Sequence, residues 1–319
     1  MGKIESRYAT FIILERKNIH MHYTGTIWRP AYEASSLLLE VTAGCTHHQC
    51  KFCTLYDDIP FNFRMSPLED IEADLRETKE QLRLWKQSQV TRTFLTGANP
   101  FVLEYQRLMK IAELIKRYFP SNQTIGCFSR ITDIKLKTDD ELKELRKAGY
   151  DGLTIGMETA DDSALEFMNK GYTSTDILAQ CRRLEQAGIS YRFFYLTGIS
   201  GEGNGEEGAK KTAEICNQLH PELIGANMLT IYPQSALYQD IKQGNWIEES
   251  EMEKYKELRS LVKHLKNPTV FAALGVSNMI QLQGKLPEDR EKLLAVLDEI
   301  IGSQKEEKLR NYRKNLRHL

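Results

Sequence analysis

Several things are scarce in these 319 residues, and each scarcity removes a class of protein. No apolar run approaches the roughly 20 residues that cross a bilayer, so no membrane span is expected. The N-terminal apolar run from Ala9 to Leu14 is too short for the core of a signal peptide. Gly2 and Ser6 fit the loose N-myristoylation pattern, but a six-residue pattern arises too often by chance to carry weight. Six cysteines are too few for a disulfide scaffold, so a reducing, cytoplasmic setting is expected. Neither sign of charge dominates. Forty-three Lys and Arg face 44 Asp and Glu, a net charge of −1, which leaves no global basic field to attract nucleic acid. Low-complexity tracts and fixed-period repeats are absent as well.

What is present is ordinary globular composition, 41% hydrophobic and 27% charged, on a chain long enough for a large core. At about 150 residues per domain the length suggests two domains or one large α/β barrel. Short aliphatic or β-branched runs then alternate with amphipathic helical stretches, as buried parallel strands and their crossovers do. The strand candidates are Ser36 to Val41, Thr91 to Leu95, Thr124 to Phe128, Gly152 to Ile155, Tyr191 to Leu196 and Leu223 to Leu229. A helix is expected from Pro67 to Gln87, with Ser66 capping and Glu69 reaching back, and the device repeats at Thr138 and Glu141. Gly149 and Gly188 stand where helices end in the left-handed region.

Six strand–helix units predict an α/β fold, a partial (β/α)6 TIM-like barrel with N- and C-terminal extensions. The expected division is an N-terminal extension over residues 1–34, the barrel over 35–245 and a helical extension over 246–319 packed on the barrel. In that last part a charged helix is expected over Glu251 to Lys266, a short apolar run over Val270 to Leu274 and a helix over Pro287 to Ile301. The chain closes on a basic amphipathic helix. Lys305, Lys308, Arg310, Arg313, Lys314 and Arg317 accompany an apolar stripe of Leu309, Tyr312, Leu316 and Leu319. Docking of that stripe is the plainer reading; contact with an anionic partner, nucleic acid included, has no other support.

Half of the cysteines crowd into Cys45-Thr46-His47-His48-Gln49-Cys50-Lys51-Phe52-Cys53, directly after the first strand and so at the mouth where barrels keep their active sites. Three thiols in nine residues can converge on one centre. Zinc usually takes four ligands from two knuckles, and here His47 or His48 would have to complete the set from inside the loop. Three thiolates on an iron–sulfur cluster instead leave one iron free for a substrate or cofactor. Cys127, Cys181 and Cys216 have no ligand spacing and read as core residues.

With its three-cysteine loop, the aromatic Phe52 before the last cysteine and six βα units, the chain resembles the radical S-adenosylmethionine (SAM) superfamily. The loop has the form Cys-x4-Cys-x2-Cys instead of the commoner Cys-x3-Cys-x2-Cys. It is similar to a free-standing subgroup related to the elongator and methylthiotransferase type of core. The resemblance covers roughly residues 30 to 245 and continues at Ser277-Asn278 and Gly284-Lys285-Leu286-Pro287. It implies that Cys45, Cys50 and Cys53 hold one oxygen-sensitive 4Fe-4S cluster per chain, with SAM chelating its open iron and Phe52 near the adenine. The turn Thr96-Gly97-Ala98-Asn99-Pro100 stands where relatives carry a Gly-Gly-Glu-type motif for the methionine amino group. The acidic residue is missing, so backbone carbonyls or Asn99 would serve, with Thr96 and Gly97 beside them.

The resemblance further places Glu158, of Gly156-Met157-Glu158, beside the SAM ribose or amino group. Gly198 and Ile199 match an adenine-contacting turn. Without that resemblance, Glu158 reads as a cap near Asp161 and the glycines of the turn as turn formers. Arg130 suits either the SAM carboxylate or a pairing with Asp133. The activity implied is reductive cleavage of SAM to a 5′-deoxyadenosyl radical that takes hydrogen from an unidentified substrate, fed by an external flavodoxin- or ferredoxin-type electron donor. Tyr56, Asp57, Tyr195, Met228 and Tyr232 are candidates for facing that substrate. A non-catalytic zinc- or iron–sulfur-binding protein is the alternative.

Overall fold

The computed structural model describes residues 21–84 and 89–316. The Ala9 run, the Gly2 and Ser6 pattern, the end of the first long helix at Gln87, and Arg317 and Leu319 lie outside the described residues. A 3-10 turn, Ala31–Glu33, leads into β1 (Leu37–Glu40), β2 (Thr42–Gly44), β3 (Phe63–Met65), α1 (Leu68–Leu84), β4 (Arg92–Thr96), α2 (Tyr105–Tyr118) and β5 (Thr124–Ser129). The chain continues through α3 (Ile131–Lys135), α4 (Asp139–Lys147), β6 (Leu153–Glu158), α5 (Asp162–Phe167), α6 (Ser174–Ala187), β7 (Tyr191–Thr197) and α7 (Gly205–Cys216). It ends with β8 (Leu223–Met228), α8 (Ala236–Lys242), α9 (Glu251–His264), β9 (Thr269–Ala273), β10 (Leu282–Leu286), α10 (Arg290–Ser303) and α11 (Glu306–Lys314).

The fold is α/β, built on one eight-stranded sheet in the order β1-β4-β5-β6-β7-β8-β9-β10. Every pairing in it is parallel except β9 with β10. The six expected strands are its first six. The sheet then runs two strands further than expected: the apolar run near Val270 is β9, and β10 was not foreseen at all. A five-residue strand behind Asn267-Pro268 is too short to reveal a period, so the C-terminal part is not purely helical. Among the described residues no helix is long and apolar enough to cross a membrane.

Local signals account for several element ends. Thr138 caps α4 as expected, accepting from Glu141 N at 3.2 Å while Glu141 Oε2 accepts from Thr138 N at 2.8 Å. Thr173 caps α6 in the same way, and Gly188 follows that helix at φ +75°. Ser66, expected as a cap, is buried, with its N–H donating to Val41 O at 3.0 Å and its carbonyl taken by Arg107.

Burial along the strands shows which face is which. In β7, Tyr191, Phe193, Tyr195 and Thr197 are buried, whereas Arg192, Phe194 and Leu196 are only half-buried. Parallel register puts Phe128 beside Thr154, and Phe194 beside Gly156 and Gly225, on the half-buried face. Phe94 and Phe128 meet edge-on with centroids 5.2 Å apart, and Phe128 and Phe194 lie 6.2 Å apart. That face lines the lumen; the fully buried face lies under the helices. Tyr195 and Met228, expected to face substrate, belong to the helix-covered face. The Tyr195 hydroxyl bonds Glu257 on α9, and Met228 Sδ lies 3.0 Å from Arg313 on α11.

The lumen is plugged at its N-terminal end. Glu33 is fully buried, receives Arg92 Nη2 at 2.7 Å and Nε at 2.9 Å, and lies 3.5 Å from Arg192 Nη1. Arg92 also donates to Thr124 Oγ1 at 3.0 Å and to the Asp151 and Gly152 carbonyls at 3.3 Å. Tyr32 adds a hydroxyl bond to Thr154 at 2.8 Å under the Arg192 guanidinium.

The C-terminal basic helix docks through charge as well as its apolar stripe. Leu309 is buried, and Arg313 grips Glu251 through two 2.7 Å contacts while donating to Ser277 O at 3.0 Å. Arg310 is 3.0 Å from Glu306 and 3.5 Å from Glu248. Ser277 and Asn278 fasten this corner to β8, through Met228 N at 3.1 Å and Ala226 O at 2.9 Å.

Candidate active site

At the mouth, β2 leaves the main sheet and pairs antiparallel with β3, Gly44 opposite Phe63. The intervening residues 45–62 therefore form a loop with pinned ends, and Cys45 N donates to Asn62 O at 2.7 Å. Gly44 has φ +78°, and a Cβ there would come 2.1 Å from Asn62 O. Only glycine suits that closure. Cys45 and Cys50 are half-buried and Cys53 is exposed.

The loop is stitched to the segment after α5. Lys51 N donates to Met168 O at 3.2 Å, Asn169 Nδ2 donates to Gln49 O at 3.2 Å, and His47 Nε2 lies 2.5 Å from Asn169 O. On the other side Lys51 O accepts from Leu237 N at 2.8 Å, and Lys51 Nζ pairs with Asp240 at 3.0 Å.

Other expected site residues converge on the same place by different routes. Phe52 and Ile199 pack in one small apolar cluster with Met168, Leu196, Leu229 and Trp246, separate from the main core. Glu158 ends β6 at a register shift with φ +64°, which is strained for a carboxylate residue. Its Oε1 receives Lys170 Nζ at 3.1 Å, and Asp161 N is held by Thr159 Oγ1, so Glu158 is not the cap near Asp161. Arg130 does not pair its guanidinium with Asp133: its backbone N–H donates to Asp133 Oδ2 at 2.8 Å, while its side chain reaches Thr132 at 3.1 Å and the Lys170 carbonyl.

Three expected contacts have structural duties. Asn99 is fully buried, donating to Thr46 Oγ1 at 2.8 Å and to both Asp133 oxygens at 3.2 Å, so it latches the cysteine loop to α3. Gly97 lets β4 approach β2; a Cβ would lie 2.0 Å from Thr42 Oγ1. Gly198 N donates to Glu257 Oε2 at 2.6 Å. Thr96 is buried with a hydroxyl that finds no partner among the described residues. Tyr56 is half-buried, Asp57 exposed and Tyr232 half-buried with an unpartnered hydroxyl. Cys127, Cys181 and Cys216 are fully buried.

Sequence reasoning missed Lys170, Tyr172 and the carboxyls beneath the 198–201 turn. One lysine among 43 basic residues carries no signal until Glu158 is seen beside it. Glu249 and Glu257 are both fully buried. Burial pushes the Glu249 carboxyl up to about 7, and burial together with Glu249 raises Glu257 well above the usual range. Two neighbouring buried carboxyls resist ionising together. At the loop, burial raises the Cys50 thiol while Lys170 and Arg130 oppose it.

Among the described residues, no three His, Cys, Asp or Glu side chains are gathered to hold a metal ion as they stand. The donor chemistry fits an iron–sulfur centre: thiolates are the cluster's ordinary ligands, and the loop carries three. A zinc set would need His47 or His48 as well, and His47 turns its Nε2 to the Asn169 carbonyl at 2.5 Å.

The sequence model of the radical SAM superfamily matches residues 39–213, and the chain belongs to that superfamily. It is 27% identical over 151 residues to the anaerobic magnesium-protoporphyrin IX monomethyl ester cyclase of Cereibacter sphaeroides, covering 47% of this chain and 24% of the cyclase. It is 20% identical over 240 residues to the heme chaperone HemW of Bacillus subtilis, covering 72% of this chain and 62% of HemW. Among solved structures, the coproporphyrinogen III oxidase HemN of Escherichia coli, a radical SAM enzyme, superposes with TM-score 0.53 at 18% identity, over 72% of this chain and 52% of that one. The chain spans only about a quarter of the cyclase's length, 24%.

Proposed function

We propose that this chain is a radical SAM enzyme in which Cys45, Cys50 and Cys53 hold a 4Fe-4S cluster and the mouth of the barrel binds SAM. The observation that carries the reading is the cysteine loop, pinned by the β2–β3 ribbon, with its Phe52 ring 5.6 Å from Lys170, which pairs with Glu158 at the C-terminal end of β6. With both groups bound, the cluster supplies the electron that splits SAM into methionine and a 5′-deoxyadenosyl radical for hydrogen abstraction. The protein's own part is to orient and to exclude water. Phe52 and Ile199 present an apolar surface suited to an adenine ring. Glu158 and Arg130 offer a carboxylate and a guanidinium for the polar end of SAM. Thr96 and the Gly97 and Gly198 backbones line the approach, while Asn99 keeps Thr46, next to Cys45, in place. A flavodoxin- or ferredoxin-type protein would deliver the electron, and the chemistry calls for oxygen-free handling.

The substrate would enter the lumen past Phe94, Phe128 and Phe194. Anaerobic reconstitution tests the reading. We expect about four iron and four sulfide per chain, 5′-deoxyadenosine on adding dithionite and SAM, and loss of both in Cys50→Ala. One bound zinc without iron, or a Cys50→Ala protein that still cleaves SAM, overturns it.

A further inference from the structure

The segment behind the cysteine loop is charged unevenly. Lys170 is 4% exposed, yet its ammonium has one carboxylate, Glu158, at 3.1 Å. The Arg130 guanidinium rests on the carbonyl of the same lysine. Two cations thus stand against one anion. Lys170 Nζ lies 5.6 Å from the Phe52 ring centroid and 5.5 Å from that of Tyr172, so it looks toward the stretch between Cys50 and Cys53 across an aromatic, poorly hydrated gap. The Met168 carbonyl, which accepts from Lys51 N, and the Asn169 side chain, which donates to Gln49 O, tie this segment to the loop.

Building on the cluster assignment above, we infer that Lys170 is a positioning charge that raises the reduction potential of the centre held by Cys45, Cys50 and Cys53, with Glu158 as its counterweight. Reduction moves one electron from a ferredoxin- or flavodoxin-class donor to the cluster; the donor is oxidised by one electron, and no bond or proton moves. Three thiolates already make the assembly anionic, so the added charge is held more easily beside a fixed cation in a low-dielectric setting.

The test is a redox titration of the reconstituted wild type, Lys170→Met, Lys170→Arg and Glu158→Gln, followed by electron paramagnetic resonance without SAM. We expect Lys170→Met to show about a tenfold lower ratio of reduced to oxidised cluster at a fixed poise, about 59 mV for one electron. Lys170→Arg should stay near wild type, and Glu158→Gln should shift the other way. Coincident curves, or Lys170→Met and Glu158→Gln moving in the same direction, overturn the inference and leave the cluster assignment standing. If Lys170→Met does not load iron, Glu158→Gln decides alone: an upward shift supports the inference, and no shift or a downward one overturns it. A wild type that takes up no iron overturns both.

Discussion

The two ends of the barrel treat buried charge in opposite ways. At the N-terminal end Glu33 is surrounded by guanidiniums from Arg92 and Arg192, and Arg92 spends its remaining donors on Thr124 and two carbonyls. At the mouth Glu158 is held in a strained conformation beside one lysine, Glu257 takes the Tyr195 hydroxyl and the Gly198 N–H, and the Glu249 carboxyl finds no hydrogen-bond partner among the described residues. A satisfied network is a foundation; carboxyls left short of partners are available for chemistry. The contrast agrees with the general division of barrels into a stabilising bottom and a reactive top.

The sharpest way to break the comparison is Glu33→Ala. Removing the anion leaves the half-buried Arg92 without its carboxylate, while Arg192 keeps Glu222 at 2.9 Å, and denaturant unfolding should show a loss of about 3 kcal/mol. Iron uptake at low temperature should be unchanged. An unaffected unfolding midpoint would mean that the floor is not the foundation described. Gly44→Ala acts at the other end. It forces a side chain into the left-handed region and against Asn62 O, at about 1–3 kcal/mol. Iron loading should fall more than global stability does, because the strain is local to the cysteine loop.

The raised carboxyls of Glu249 and Glu257 predict an effect of pH. The folded state binds protons here more tightly than the unfolded chain, so their contribution to stability is full below about pH 4.5 and is lost as pH rises through about 7. Glu249→Gln should flatten that slope and raise the melting temperature at pH 8, an effect on the order of 1–2 kcal/mol. A steeper slope in the variant would refute this reading. The smallest effect is expected from Thr173→Ala, which removes the cap of α6 directly after the segment that backs the cluster loop. About 1 kcal/mol should be lost, and the cluster spectrum should stay as it was.

The sequence made some of these features readable and hid others for physical reasons. The six central strands and the Thr138 cap were legible because a buried parallel strand and a capping box are local patterns. The cysteine loop stood out because three thiols in nine residues rarely group by chance. Tyr195 and Met228 were misplaced because alternation gives a period but not a phase; only the position of α9 and α11 decides which face is inside. The latch that Asn99 makes with Thr46 and Asp133 was not legible, because those partners lie far away in the chain. Lys170 and the two glutamates were invisible for the same reason: their meaning lies in neighbours that only folding supplies.

The ribbon of β2 and β3 has one last consequence. Because Gly44 and Phe63 fix where the cysteine loop begins and ends, a change in its length leaves the strand register alone. A residue gained or lost between Cys45 and Cys50 is felt at the Thr46, His47 and Gln49 anchors instead, as in an exchangeable cassette with its own fastenings. Evolution could therefore vary the spacing of the thiols while leaving the scaffold beneath them unchanged.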